Sequence, residues 1–281
     1  MYSKDFFISA YGVRMPWIIY GTAWKKDGTA ALVEQAISLG FRGIDTACQP
    51  KHYNEAGVGD GIAACRERGI SRFELYLQSK FTPLNGQDPQ RVPYDAKACL
   101  GVQVAQSFQA SLKNLQTTYL DCLLLHSPLA DRQQMREVWQ AMERIFHDGG
   151  AKQLGISNCY DPQQLELLYR DAQVKPAVIQ NRFYAETQYD RGIRDFCRRQ
   201  RIIYQSFWTL TANPQVLAHA TLQALSEKYR RSAAQLFFRY LNHAGIIPLT
   251  GTTSAIHMKE DLAVMDFELT ADEYKAIGTL L

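Results

Sequence analysis

Three titratable side chains each stand at the end of a short apolar segment. Asp45 ends one segment, Lys80 the next and His126 the one after it. If these segments are neighbouring parallel strands, which lie about 4.8 Å apart, the carboxylate, the ammonium and the imidazole can converge on one point. That grouping suits acid–base chemistry. Asp45 and Lys80 could also form a purely structural buried ion pair.

The elements that must position these residues follow a simple alternation. Short apolar segments alternate with stretches of helical spacing to the end of the chain, which is typical of parallel α/β folds. Eight such pairs in 281 residues favour a (β/α)8 TIM barrel over an open sheet, and the turn at 21–24 lacks a glycine-rich fingerprint. The predicted strands are 18–22, 43–45, 75–80, 121–126, 152–156, 177–180, 202–207 and 246–248.

Local signals predict where several helices begin and end. Thr29 is a predicted N-cap and Gly40 a predicted end of the first helix, while Asp161 and Pro162 begin the fifth. In the third helix the spacing predicts one apolar face made of Ala105, Phe108, Leu112 and Leu115.

Three further segments carry specific expectations. The glycines of 57–61 indicate close helix packing rather than a phosphate-binding loop. The alternating pattern of residues 6–16 predicts a short hairpin that closes the bottom of the barrel. The long connection 82–100, which holds three prolines, is predicted to overhang the active site.

Composition narrows the class of protein. We expect one domain over residues 1–281, because no shift in composition divides the chain. A net charge of +3, with basic residues spread throughout, argues against a nucleic-acid partner. Residues 1–17 lack the features of a signal peptide, and no apolar run is long enough to span a membrane. Six isolated cysteines argue against bound metal and fit a cytoplasmic protein.

An ordered set of short motifs resembles the aldo-keto reductase superfamily over nearly the whole chain. Each motif is modest alone, but together, and in this order, they are specific to that family. They are Asp45-Thr46-Ala47, Tyr53-Asn54-Glu55, Gly57-Val58-Gly59, Ser79-Lys80, Leu125-His126-Ser127-Pro128, Gly155-Ile156-Ser157-Asn158, Gln180 and Asp266-Phe267-Glu268-Leu269-Thr270.

The resemblance implies reduction of a carbonyl by a nicotinamide hydride, with Tyr53 as the proton donor. A free tyrosine has a pKa of about 10 and is a poor donor at neutral pH. Lys80 is expected to lower that pKa, Asp45 to hold the ammonium, and His126 to orient the carbonyl oxygen.

The resemblance also implies the cofactor contacts. Ser157, Asn158 and Gln180 would bind the nicotinamide carboxamide, and Phe207 would stack on its ring where tyrosine is common in the family. Leu210 would lie along the pyrophosphate. The remaining predicted contacts are Gly21, Thr22, Asp45, Thr252, His257, Glu260 and Asp261.

The nucleotide end departs from the family pattern. Gly251 and Thr252 stand where relatives often carry a lysine and a serine, and His257 replaces an arginine. Thr252 and the backbone at the start of the following helix can still hold phosphate. Without that lysine and arginine, the positive charge that would bind a 2′-phosphate is weakened. We therefore expect the protein to use NADP(H) but to discriminate less strongly against NAD(H). Glu260 and Asp261 could instead be an exposed acidic pair.

A second departure concerns the interval between Asp45 and Tyr53, which is longer than usual in the family. The intervening loop must bulge, and His52 could perturb Tyr53 or substitute for it. Tyr53 is the only tyrosine between Asp45 and Asn54.

Large apolar side chains suggest the substrate and leave alternatives. Trp24, Phe81, Trp208 and the 82–100 loop are predicted to line an open pocket, with His126, for an aromatic or aliphatic carbonyl. We expect a monomer or weak homodimer. A nicotinamide-binding regulatory module is one alternative, since the superfamily includes such subunits. A Schiff-base enzyme using Lys80 is another, although it would not explain Ser157, Asn158 and Gln180.

Overall fold

The computed structural model describes residues 6–281, in which eight parallel strands close into a barrel. Each barrel strand pairs with the next along the chain, and the last pairs with the first. A separate antiparallel hairpin precedes the barrel. The hairpin strands are β1 (Phe6–Ile8) and β2 (Arg14–Pro16), and the barrel strands are β3 (Ile19–Gly21), β4 (Gly43–Asp45), β5 (Tyr76–Phe81), β6 (Cys122–Leu125), β7 (Leu154–Ser157), β8 (Val178–Arg182), β9 (Ile203–Phe207) and β10 (Ile246–Thr250).

Helices surround the barrel and bury their apolar faces against it. Among residues 6–281, no helix combines the length and apolarity needed to cross a bilayer. The helices are α1 (Thr29–Leu39), α2 (Glu55–Glu67), α3 (Leu100–Leu115), α4 (Arg132–His147), α5 (Pro162–Asp171), α6 (Arg191–Gln200), α7 (Pro214–Leu217), α8 (Ala220–Tyr229), α9 (Ala233–His243), α10 (Ala255–Leu262) and α11 (Ala271–Gly278).

The predicted TIM barrel is confirmed, and all eight predicted strands belong to it. Their ends differ by one or two residues at most positions. The largest extensions are at β8, which continues to Arg182, and at β10, which continues to Thr250. Arg182 pairs with Phe207 on β9. Backbone pairing therefore continues past the point where the side chains stop being apolar.

The predicted hairpin is also present at the barrel bottom. Its residues Phe6 and Pro16 are paired across the two strands. Phe7 and Met15 are buried in one cluster with Tyr76 and other residues at the starts of the barrel strands. The hairpin therefore fills the end of the barrel opposite the carboxyl ends of the strands.

Two details of the helices differ from the predictions. Thr29 is the first residue of α1 rather than its N-cap, and its hydroxyl donates to the Lys26 carbonyl. Ala105 is exposed, although Phe108 and Leu115 are buried as predicted. The buried face of α3 instead includes Ser111, whose hydroxyl donates to the buried Glu55 carboxylate at 2.9 Å. Val104, rather than Ala105, joins Phe108 and Leu115 on the buried face.

Close packing explains the glycines of α2. A Cβ atom added at Gly59 would lie 2.1 Å from the backbone oxygen of Asn114, and one at Gly61 would lie 2.6 Å from that of Ala30. Neither backbone can move without disturbing a neighbouring helix. These glycines let α2 approach α1 and α3, as the sequence indicated.

We expect Gly59→Ala to lower the free energy of unfolding by about 1–3 kcal/mol, because the added methyl group overpacks a rigid backbone contact. Gly192→Ala is the matched control: that helical glycine is exposed, and an added Cβ would meet nothing closer than Pro162 at 3.6 Å. It should be neutral or slightly stabilising. Urea unfolding of both variants checks this, and equal stability of the two would contradict the packing argument.

Candidate active site

A cavity of about 890 Å³ opens at the carboxyl ends of the barrel strands. This volume lies within the range of small-molecule sites, roughly 300–1,000 Å³. Most of the predicted site residues line it. They are Gly21, Trp24, Asp45, Tyr53, His126, Ser157, Asn158, Gln180, Phe207, Trp208, Leu210, Thr252, His257, Glu260 and Asp261.

A buried ion pair between Asp45 and Lys80 lies at the base of this cavity. Lys80 Nζ is 2.6 Å from Asp45 Oδ1 and 2.8 Å from the Thr46 carbonyl oxygen. Asp45 Oδ1 also accepts from Gln78 Nε2 at 2.7 Å and from Gln180 Nε2 at 2.9 Å. Three donors on one oxygen hold the carboxylate in a single position.

Tyr53 lies between the ion pair and His126. Its ring centroid is 5.3 Å from Lys80 Nζ and 5.9 Å from the His126 ring centroid. Burial, and then the negative charge of Asp45, raise the pKa of the Tyr53 phenol above its ordinary value. The prediction that Lys80 lowers this pKa is wrong. The direction is opposite because the Lys80 charge is largely offset by Asp45, while the phenol is removed from water.

His126 follows β6 at the cavity wall. Thr82 Oγ1 is 2.6 Å from His126 Nδ1, which leaves Nε2 as the ring nitrogen available to a ligand. Burial, and then the positive charge of Lys80, lower the pKa of His126 well below its usual value. The imidazole is therefore neutral at physiological pH.

The long loop after β4 is held by contacts from distant parts of the chain. The backbone N–H of Trp24 donates to the His52 carbonyl at 2.8 Å, and the Trp24 and His52 rings lie 4.0 Å apart. Gln49 Nε2 donates to the Gly86 carbonyl. Asn54 caps α2 and accepts from the Gly57 N–H. The loop consequently turns Tyr53 toward the ion pair and His52 toward Trp24.

The carboxamide and ring positions predicted for a nicotinamide are adjacent on β7, β8 and β9. Asn158 Nδ2 donates to the His126 carbonyl at 2.8 Å, and Ser157 Oγ donates to the Gln180 carbonyl at 2.7 Å. Among the described residues, Gln180 Oε1 accepts no hydrogen bond although the side chain is buried. A free amide acceptor beside the half-buried face of Phe207 fits a carboxamide-bearing aromatic ring.

The other end of the cavity lies at β10 and the start of α10. Thr252 Oγ1 accepts from the Ser254 N–H at 3.1 Å. His257 is exposed, and Asp261 is buried with its carboxyl group 2.7 Å from Thr250 Oγ1. Burial raises the pKa of Asp261 to about 6. Asp261 is therefore buried, and the alternative that Glu260 and Asp261 form an exposed acidic pair is wrong for Asp261.

Three predicted positions lie elsewhere. Thr22 is fully buried and donates its hydroxyl to the Asp45 carbonyl at 2.8 Å, so it does not line the cavity. Phe81 faces the helices and packs on Tyr94, because side chains alternate along β5 and Lys80 faces inward. The 82–100 connection packs beside the long loop, where Gln87 donates to the Cys48 carbonyl, and contributes nothing to the cavity lining.

Several polar residues of the site were not predicted from the sequence. Gln78 and Gln205 lie inside the barrel and bond to each other, with Gln205 Oε1 also accepting from Gln180. Lys25 lines the cavity, and its ammonium donates to the Gly251 carbonyl. Arg182 lines it too. Two-residue alternation beyond Gln180 was a usable signal for Arg182, but none pointed to Lys25.

Comparisons with known proteins agree with this architecture. The family model described as Aldo/keto reductase family matches residues 17–281. An uncharacterized oxidoreductase, YtbE, of Bacillus subtilis (strain 168) is 34% identical over 273 residues, covering 96% of this chain and 90% of that protein. A glyoxal reductase of the same organism is 32% identical over 271 residues, which cover 96% of this chain and 90% of that protein.

A solved structure gives the same result at the level of the fold. The crystal structure of an aldo/keto reductase from Brucella melitensis superposes with a TM-score of 0.83 at 27% identity and covers 99% of both chains. Sequence, fold and the arrangement of the cavity therefore agree, and this chain belongs to the aldo/keto reductase family of oxidoreductases.

Proposed function

We propose that this protein reduces aldehydes or ketones to alcohols with NADP(H), with Tyr53 as the general acid. The observation that carries the proposal is the position of Tyr53 between the Lys80 ammonium and the His126 imidazole at the base of the cavity. The coarse activity, oxidoreduction, is that of the family. The assignment of residues and the choice of cofactor are ours.

The protein groups divide the work around the carbonyl oxygen. A bound nicotinamide supplies the hydride, and the oxygen that gains negative charge needs a proton. The raised pKa keeps the Tyr53 phenol protonated but makes it a weaker acid, so proton donation would depend on Lys80 stabilising the phenolate that forms. His126 Nε2 would donate to the same oxygen and orient the carbonyl. Because an ammonium has three N–H donors and two are used, Lys80 keeps one for the phenol side.

The carboxamide contacts of the nicotinamide would come from Ser157, Asn158 and Gln180, and its stacking surface from Phe207. At the nucleotide end we propose that Lys25 partly replaces the lysine that relatives carry at position 251. A Cβ atom added at Gly251 would lie 3.7 Å from Lys25 Nζ, so the two positions share one space. Leu210, Thr252, His257, Glu260 and Asp261 would complete that end.

Two features bear on the substrate. Trp24 and Trp208 expose indole surface at the cavity mouth, with 57% and 49% of their surface accessible, which suits an apolar carbonyl compound. The similarity to a glyoxal reductase adds small dicarbonyls to the compounds worth testing. A Schiff-base mechanism is disfavoured, because the Lys80 side chain is 1% exposed and its ammonium is paired with Asp45.

We expect Tyr53→Phe to lower kcat for carbonyl reduction by about 10²–10⁴, because the proton donor is lost while the ring remains. The dissociation constant of NADPH, from fluorescence titration, should stay unchanged. The matched control is His52→Gln, at the neighbouring position that faces Trp24. If Tyr53→Phe retains turnover and His52→Gln loses it, the assignment is wrong. Uniformly slow turnover by the wild type would favour the regulatory module.

The shifted pKa values predict the pH dependence of kcat/KM for reduction. Tyr53 acts in its protonated form, which is lost only as pH rises through its raised pKa. His126 acts in its neutral form, which is lost only as pH falls through its lowered pKa. We therefore expect a flat profile from about pH 6 to pH 9. An acidic decline centred near 6.5 would contradict the neutral role of His126.

Cofactor titration tests the nucleotide end. We expect the wild type to bind NADPH more tightly than NADH by less than about three orders of magnitude, because position 251 lacks a cation and histidine stands at 257. Lys25→Met should weaken the binding of NADPH by about tenfold or more, and the binding of NADH by a smaller factor. Lys26→Met, at the exposed neighbour, is the control. A full thousandfold preference for NADPH would defeat the hypothesis of weakened selectivity.

A further inference from the structure

Arg182 lies in the cavity wall beside the positions proposed for the nicotinamide. It ends β8 two residues after Gln180, and side chains two apart on a strand face the same side. Its backbone N–H donates to the Tyr160 hydroxyl at 3.0 Å, and that hydroxyl lies 3.3 Å from Asn158 Oδ1. In the sheet, Arg182 pairs with Phe207. Its backbone is thus held by two neighbours, Tyr160 and Phe207.

The guanidinium of Arg182 is held by aromatic rings rather than by a carboxylate. Its Cζ is 4.1 Å from the Trp208 ring centroid and 5.2 Å from the Tyr184 ring centroid. Within residues 6–281 it forms no ion pair, and its Nε is buried without a hydrogen-bond acceptor. Other partly buried arginines have oxygen acceptors: Arg72 pairs with the Asp121 carboxylate, and Arg42 and Arg194 donate to backbone carbonyls.

This environment satisfies the face of the guanidinium but not its edge. Aromatic rings attract the cation over their faces, whereas the N–H donors lie in the guanidinium plane and need oxygen acceptors. Because Nε is buried, the Nη groups of this cavity-lining residue are the donors that could bind an oxyanion. The planar fork of donors matches the two oxygens of a carboxylate or phosphate group.

The stacking surface is already formed by the protein alone. Trp208 has a φ of 55°, a left-handed conformation that non-glycine residues rarely adopt. Its carbonyl accepts from the Ala212 N–H at 2.8 Å, and the next residue, Thr209, donates to Ser206 Oγ at 2.9 Å. These bonds hold the indole against Arg182, so the guanidinium is positioned before a ligand arrives.

We propose that Arg182 is an oxyanion-binding residue of this cavity, which takes a carboxylate or phosphate group of the bound ligand. The inference rests on the proposed function in that the ligand is a dinucleotide or a carbonyl substrate. Either source supplies the same chemistry: a phosphate of the dinucleotide, or a carboxylate carried by the substrate. In the second case Arg182 would select acidic aldehydes and ketones.

The experiment compares Arg182→Met and Arg182→Lys with a control, Arg199→Met. Arg199 is an exposed arginine of α6, stacked 5.9 Å from the Phe196 ring centroid and outside the cavity. Each variant is titrated with NADPH, and kcat/KM is measured for terephthalaldehydic acid and for its methyl ester, which lacks the carboxylate. Thermal unfolding of each variant verifies that the fold is retained.

Two results support the proposal and identify the source of the oxyanion. If NADPH binding weakens by about tenfold or more in Arg182→Met, less in Arg182→Lys, and both aldehydes are affected equally, the group is a phosphate of the dinucleotide. If NADPH binding is unchanged and only the acidic aldehyde loses about tenfold or more in kcat/KM, the group belongs to the substrate. Variants that match Arg199→Met in both measurements overturn it, as does an equal loss for both aldehydes with unchanged NADPH binding.

A binding measurement separates this inference from the proposed function. If the wild type reduces neither aldehyde, the reductase proposal is in difficulty, but Arg182 is still tested by calorimetric titration with NADPH, inorganic pyrophosphate and benzoate. Binding of any of these that is lost in Arg182→Met and kept in Arg199→Met supports the oxyanion site. Binding that is equal in both variants, or absent from the wild type for all three probes, overturns it.

Discussion

The buried ion pair of Lys80 and Asp45 is the interaction on which the rest of the site depends. Removing an ammonium and a carboxylate from water costs several kcal/mol per ion, and their attraction repays this only when hydrogen bonds complete the geometry. Here the bonds come from Gln78, Gln180 and the Thr46 carbonyl. These contacts join strands β4, β5 and β8, so the charges are held by the barrel wall rather than by a loop. Loss of either charge would leave the other buried without a counterion.

The same pair sets the electrostatics of its neighbours. Because Asp45 offsets much of the Lys80 charge, burial dominates at Tyr53 and the pKa of the phenol rises. His126 has no carboxylate partner within the described residues, so burial and the Lys80 charge lower its pKa. Both side chains are thereby kept in the uncharged forms that can donate a hydrogen bond to a carbonyl oxygen. Because these two donors are neutral and the ion pair is compensated, the base of the cavity carries no net charge before a proton is transferred.

Three residues at the mouth of the cavity have strained backbone conformations. Trp24, Asn158 and Trp208 all have φ between 54° and 64°, and each lines the cavity. Such conformations cost about 1–3 kcal/mol each and persist only where surrounding contacts enforce them. The bonds from Trp24 to His52 and from Asn158 to the His126 carbonyl are contacts of that kind. The rigid barrel thus supports a rim whose aromatic and amide groups are aimed inward before any ligand binds.

The sequence by itself determined the barrel and the strand ends that carry Asp45, Lys80 and His126. Those features follow from local periodicity, and parallel strands bring their carboxyl ends to one face whatever the loops do. Tertiary structure alone decided which residue of the long loop faces the ion pair. Contacts from Trp24 and Gly86, remote in sequence, turn Tyr53 toward the ion pair and His52 toward Trp24 at the cavity mouth. It also decided that Phe81 and Thr22 face away from the cavity while Lys25 and Arg182 reach it, because a side chain's direction depends on the register and packing of neighbouring elements.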